Sequence, residues 1–253
     1  MLPRDALDAG PEVDRSVRGG ERVRRDARLR SRRPRVQTDR VSPTRILIRR
    51  WGQLLLGLFL FGIAIALMIR ADIGLDPWTV FAQGLAVQSG WRIGVVTIVI
   101  GAGVLLLWIP LRQRPGIGTV LNVLLIGPAL DLGLLVVATP EALWARILLF
   151  AGGLALLAVA SGLYIGARFG PGPRDGLMTG AHARFGWALW KVRTGVEVTV
   201  LAIGWLLGGT VGFGTIAFAL LIGPMVGQTL PRLRVPEPID KDRPCEGVER
   251  DIS

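Results

Sequence analysis

Cysteine and histidine are almost missing from this chain, which holds one of each, Cys245 and His182. A disulfide framework needs at least two cysteines. An ordinary zinc site needs three or four Cys, His or carboxylate ligands close together. The sequence offers neither, and His182 reads as a loop residue rather than a ligand. Lysine is scarce too, with only Lys191 and Lys241. No nucleophile–base pair, P-loop or heme motif is present. Gly116-Ile117-Gly118 is not a nucleotide signature, because no soluble βαβ context surrounds it. The expectation is therefore a protein without a cofactor that is not an enzyme.

What the chain has in abundance is apolar residues, 51% of the total. Six apolar runs, near 51–69, 93–111, 117–138, 143–166, 191–208 and 213–231, are each long enough to cross about 30 Å of hydrocarbon at about 1.5 Å per residue. The net charge of +11 is concentrated, since fifteen of the 30 Lys and Arg residues fall in the first 50 positions. Residues 1–44 are too polar to bury a core and read as a disordered basic cytoplasmic tail. They show no apolar run with a small-residue cleavage site. Such a tail suits a cytoplasmic flank or contact with anionic lipid; nucleic acid is the less expected partner. Residues 232–253 read as a polar cytoplasmic tail.

The chain also repeats itself. Ile69, Ala71, Gly84, Gly90-Trp91, Gly116, Gly118-Thr119 and Leu124–Pro128 recur 96 positions later. Over 69–131 against 165–227, 19 of 63 positions are identical. That divides the membrane portion into a first repeat, 45–140, and a second, 141–231. Loop charges place Arg49, Arg50, Arg112, Arg114, Arg168, Arg174, Arg184, Lys191, Arg232 and Arg234 on one side. By the positive-inside rule that side is cytoplasmic. Each repeat then carries three crossings, an odd number, so the copies enter the membrane from opposite sides. The expected fold is all-α: a polytopic bundle of six transmembrane helices in two inverted three-helix repeats. Residues 77–88 and 173–185 are expected as short interfacial or re-entrant helices.

Inverted repeats of this kind often place a substrate site between the halves. In the first copy Gly74 precedes Asp76, an N-cap, and Pro77, suited to the first helical position, with Trp78 after it. In the second copy Gly172 and Pro173 take the same roles, followed by Arg174 and Asp175. Two helix starts aimed into one cavity could hold an anionic group; two tight surface loops would look the same. Arg193 and Glu197 are four apart on one helix face and could pair. Asn122 and Asp131 face Phe218 and Gly227 in the repeat and so break its symmetry, as a directional site requires and as a random helix-end residue also does. Gly62, Ala66, Ala158 and Gly162 are suited to close helix packing. Pro128 and Pro224 should kink their helices, and Trp51, Trp91, Trp108, Trp144, Trp187 and Trp205 read as interfacial anchors.

The segments Gly57–Gly62, Met68–Ala71, Gly74–Trp78, Arg114–Thr119 and Gly170–Met178 resemble the YczE/YitT-type bacterial integral membrane proteins. The resemblance covers residues 47–232. It implies a multi-pass inner-membrane protein and supplies no catalytic residues. Two functional readings stay open: a small transporter or permease for a small polar or anionic solute, and a non-transporting membrane accessory or assembly factor. The lipid bilayer is the expected partner in both.

Overall fold

The computed structural model describes residues 43–235. The expected tails 1–44 and 232–253, Cys245 included, lie almost wholly outside those residues. Every regular element among them is helical: α1 (Pro43–Ala71), α2 (Pro77–Ser89), α3 (Ile93–Trp108), α4 (Ile117–Val136), α5 (Leu143–Gly166), α6 (Pro173–Phe185), α7 (Leu189–Leu206) and α8 (Phe213–Leu233). The helices α1, α4, α5 and α8 are long and apolar enough to cross a membrane. The pair α2 and α3, bent by 116° at Gly90–Arg92, makes a fifth if taken as one broken span. Of the two remaining expected crossings, α3 has only 16 residues, and α7 carries Lys191, Arg193 and Glu197.

The centre is α1 against α5. They run antiparallel, because Gly57 faces Tyr164 and Leu163 while Gly153 faces Met68 and Ala64. Lipid tails are as apolar as leucine, so burial supplies little drive for helices to associate within a bilayer; close van der Waals contact does. Small residues supply it here. Gly62 lies against Ala129 and Leu130 of α4, and Gly162 lies against Thr229 and Leu233 of α8. Leu54, Leu58, Met68, Leu130 and Leu154 fill the core between them. The prolines at 128 and 224 sit inside continuous helices.

The backbone repeats as the sequence does. Gly74 has φ 126° and Gly170 has φ 125°, values that L side chains rarely adopt. Asp72 and Arg168, also 96 apart, both sit in the left-handed region. Each break is held by the other repeat. Gly214 N–H donates to Ile73 O at 2.8 Å, and Gly118 N–H donates to Phe169 O at 3.0 Å. Thr215 Oγ1 accepts from Leu75 N–H at 3.1 Å, while Thr119 Oγ1 donates to Pro171 O at 2.7 Å. The short helices cross over in the same way, α2 onto α7 and α6 onto α3. At the first crossing Val80 fits against Gly204 and Gly209; at the second, Gly176 fits against Trp108. Bulk and gap have changed places between the related contacts.

Trp108 is therefore not an interfacial anchor. It is 1% exposed, and its indole N–H donates to Pro173 O at 3.1 Å. Trp91, Trp144, Trp187 and Trp205 are exposed, as anchors must be. His182 lies in the last turn of α6 rather than in a loop, with Nδ1 against Trp187 O.

One relation is not repeated. The α3–α4 seam is closed: Gly94 and Gly127 meet backbone to backbone, and Asp131 Oδ1 accepts the Gly94 N–H at 2.9 Å. Arg92, the N-cap of α3, makes no side-chain cap, so Asp131 of α4 caps that helix in its place. At the related positions stand Trp190, Gly223 and Gly227. A tryptophan replaces the glycine, no carboxylate is available, and α7 barely touches α8.

Candidate functional site

Both helix breaks end at one cavity of about 330 Å³. From the first break, Asp76, Pro77 and Trp78 line it; from the second, Gly172, Pro173, Arg174 and Asp175 do. Asn122 on α4 and Arg193 and Glu197 on α7 add to the polar wall. Of the residues singled out from sequence, only Gly74 and Asp131 lie elsewhere. Gly74 is behind the first break, where a side chain would overlap the α8 backbone at Thr215. Asp131 caps α3.

The local sequence explains how each group is presented. Asp76 is the N-cap of α2, and its Oδ1 accepts from Trp78 N–H at 3.2 Å and Thr79 N–H at 3.3 Å. The same oxygen accepts from Arg174 Nη1 at 3.2 Å, which joins the two repeats by an ion pair. The Arg174 guanidinium lies 5.1 Å from the Trp78 ring centroid, within cation–π range. The α6 start has no side-chain cap. Arg193 Nε donates to Glu197 Oε1 at 3.1 Å across one helical turn. Trp78 is buried, and its indole N–H has no acceptor among the described residues.

The remaining carboxylate is Asp175. It lines the cavity from the first turn of α6 and is exposed there. Tyr164 Oη donates to Asp175 Oδ2 at 3.5 Å, a long bond. Among the described residues no group of three or more His, Cys, Asp or Glu is placed to hold a metal. The site thus combines two cations, three carboxylates and two helix starts in a space the size of a small solute.

A family model described as "Family of unknown function (DUF6198)" matches residues 48–231. This chain belongs to that family. An uncharacterised protein of Haemophilus influenzae is 40% identical over 173 residues, 68% of this chain and 79% of the relative. The uncharacterised membrane protein YczE of Bacillus subtilis is 34% identical over 188 residues, 74% of this chain and 87% of the relative. YyaS of Bacillus subtilis is 23% identical over 180 residues, 70% and 90% of the two chains. No solved structure matches. Like YczE, this DUF6198 chain is a membrane protein, and its four or five spans long and apolar enough to cross make it multi-pass.

Within this DUF6198 chain, sequence reading passed over several groups at the cavity. Tyr164, Ser161 and Thr97 add hydroxyls to its wall. Tyr164 is the only tyrosine of the chain and sits near the end of an apolar helix, which was a signal available for use. Ser161 and Thr97 carried none, because hydroxyls of that size are common in packed membrane helices.

Proposed function

We propose that this protein is a small inverted-repeat transporter whose solute binds in the cavity between the repeats. The observation that carries the proposal is the meeting of two helix starts, 96 residues apart in sequence, at one cavity. In this reading α1, α3, α4, α5, α7 and α8 are the six crossings of a bacterial inner membrane. Both chain ends are then cytoplasmic, and the basic segment 1–44 lies toward anionic lipid. All six crossings line the cavity, and the two shorter or more charged ones, α3 and α7, bring Thr97, Arg193 and Glu197 to it. Arg193 and Glu197 line the cavity as an ion pair, and charge at membrane depth is tolerated where it is paired and borders a cavity.

The group that binds in the cavity is small and polar, with an anionic part. Arg174, Arg193 and the starts of α2 and α6 attract negative charge. The carboxylates of Asp76, Asp175 and Glu197 favour hydrogen-bond donors or positive charge on the same molecule. Binding and passage are proposed, with no covalent step. The loose α7–α8 seam beside the closed α3–α4 seam supplies the two-sided asymmetry that alternating access needs.

The test is a solute screen on purified protein by thermal unfolding, since a ligand that binds only the folded state raises its stability. Small anions, amino acids and polar metabolites are added one at a time. Arg174→Ala and Glu197→Gln are expected to leave the protein folded and to abolish the shift given by whichever solute stabilises the parent. A stabilising solute to which both variants respond as strongly as the parent would remove the cavity from consideration.

A further inference from the structure

We propose that the solute is a single-chain amphiphile, with its polar head in the cavity and its hydrocarbon chain in an apolar groove sharing a wall with it. The inference rests on reading the cavity as a solute site and adds the substrate class. The groove, of about 1190 Å³, runs between α2, α3, α6 and α7. Its walls are side chains such as Phe81, Leu85, Leu107, Leu177 and Val196, and among the described residues Lys191 is the one charged residue lining it. Trp78, Ile100 and Val104 line both spaces. Trp78 is part of that partition: it carries the Arg174 guanidinium over its ring, and its buried indole N–H has no acceptor among the described residues.

Two features tie the groove to a chain rather than to side-chain packing. Gly103 and Gly195 lie along it, and a methyl added at either would meet nothing within 4 Å. At both positions the absence of a side chain leaves the groove unfilled, despite a cost of about 1 kcal/mol against alanine in helix propensity. The step from charged cavity to apolar groove also occurs across one thin wall, Trp78 with Ile100 and Val104. A wholly polar solute would leave the groove unused, and a plain hydrocarbon would leave Arg174, Arg193, Asp76 and Glu197 unused. A molecule with the same step in its own structure uses both. Charges of both signs in the cavity fit a head that carries both signs.

The probes are lysophosphatidylcholine, which has such a head and one chain, and glycerophosphocholine, the same head without the chain. Full-length protein in lipid nanodiscs is titrated with radiolabelled lysophosphatidylcholine, and glycerophosphocholine is added as competitor. In the parent, binding is expected to saturate and glycerophosphocholine to compete. Gly195→Leu and Gly103→Leu, made separately, fill the groove without touching the cavity. Each is expected to weaken lysophosphatidylcholine binding about tenfold or more while leaving the thermal shift given by glycerophosphocholine unchanged, which also shows that the variant is folded. Arg174→Ala is expected to weaken both probes. If both leucine variants bind lysophosphatidylcholine like the parent while glycerophosphocholine still binds, the cavity reading stands and the amphiphile is refuted. If glycerophosphocholine fails to compete, the lysolipid is annular and the proposal falls. No binding of either probe to the parent rules out the two-signed head.

Discussion

Replacing Thr215 by valine keeps the shape of a side chain that is 6% exposed and removes only its hydroxyl. That oxygen accepts the N–H of Leu75, a residue 1% exposed, at 3.1 Å and the N–H of Gly212 at 3.3 Å. Leaving a buried donor unpaired costs about 1–3 kcal/mol. The partly buried Gly212 N–H can turn to water, so losing that bond costs about 0.5–1 kcal/mol. The sum is about 1.5–4 kcal/mol, or roughly 3–16 °C of unfolding temperature for a chain of this size. Thr215→Ser makes the opposite change, keeping the hydroxyl and losing one methyl at about 1 kcal/mol. Valine, the better apolar match, must therefore be the worse substitution. Thermal unfolding of parent and both variants in the same detergent provides the comparison. A valine variant within about 0.5 kcal/mol of the parent, or more stable than the serine variant, would refute the claim that this hydroxyl holds the first break. The related Thr119→Val should cost less, because its acceptor, Pro171 O, belongs to an exposed residue that water can reach.

Gly176→Ala drives a methyl into the Trp108 ring. Overpacking of about 1–3 kcal/mol should outweigh about 1 kcal/mol of helix propensity and lower the unfolding temperature, whereas Gly223→Ala, which meets nothing within 4 Å, should raise it. Asp131→Ala removes the cap on α3 and should cost about 0.5–2 kcal/mol, with faster hydrogen exchange confined to the first turn of that helix; uniform exchange would show that Asp131 does not act there. With six crossings and both ends inside, Cys245 should resist a membrane-impermeant thiol reagent in intact spheroplasts and react after lysis; rapid labelling before lysis contradicts the orientation.

The spacing of 96 residues made much of the fold legible, because glycine and proline report backbone geometry rather than partners. Gly74 and Gly170 share a φ because the backbone there requires glycine, and Asp76 with Pro77 marks a helix start wherever it occurs. What stayed hidden depends on which residue lies opposite. Trp108 ends an apolar run, as an interfacial anchor does, and only the glycine facing it in α6, 68 positions on, shows that it is buried. Asp131 sits at a helix end and resembles a site residue; its role is set by Gly94, 37 positions earlier in the chain. Composition also overestimates the length of α3, 93–111 against the observed Ile93–Trp108, whereas α7 has the expected 18 residues. Apolar residues continue past Trp108, but the chain turns there to seat α6 against it.

The exchange of breaks between the repeats sets an order on synthesis. Leu75 is made 140 residues before its partner Thr215. At roughly 5–20 residues per second, the first break waits on the order of ten seconds for the helix that will hold it. During that interval Asp76 caps α2 but lacks its ion-pair partner until Arg174 is made, and the first break lacks α8. The first half of the chain cannot complete a cavity alone. The second half finds its own break's support, Gly116–Thr119, already in place. Assembly therefore finishes with α8, and a chain that ends short of Phe213 should insert normally and still lack the first wall of the cavity.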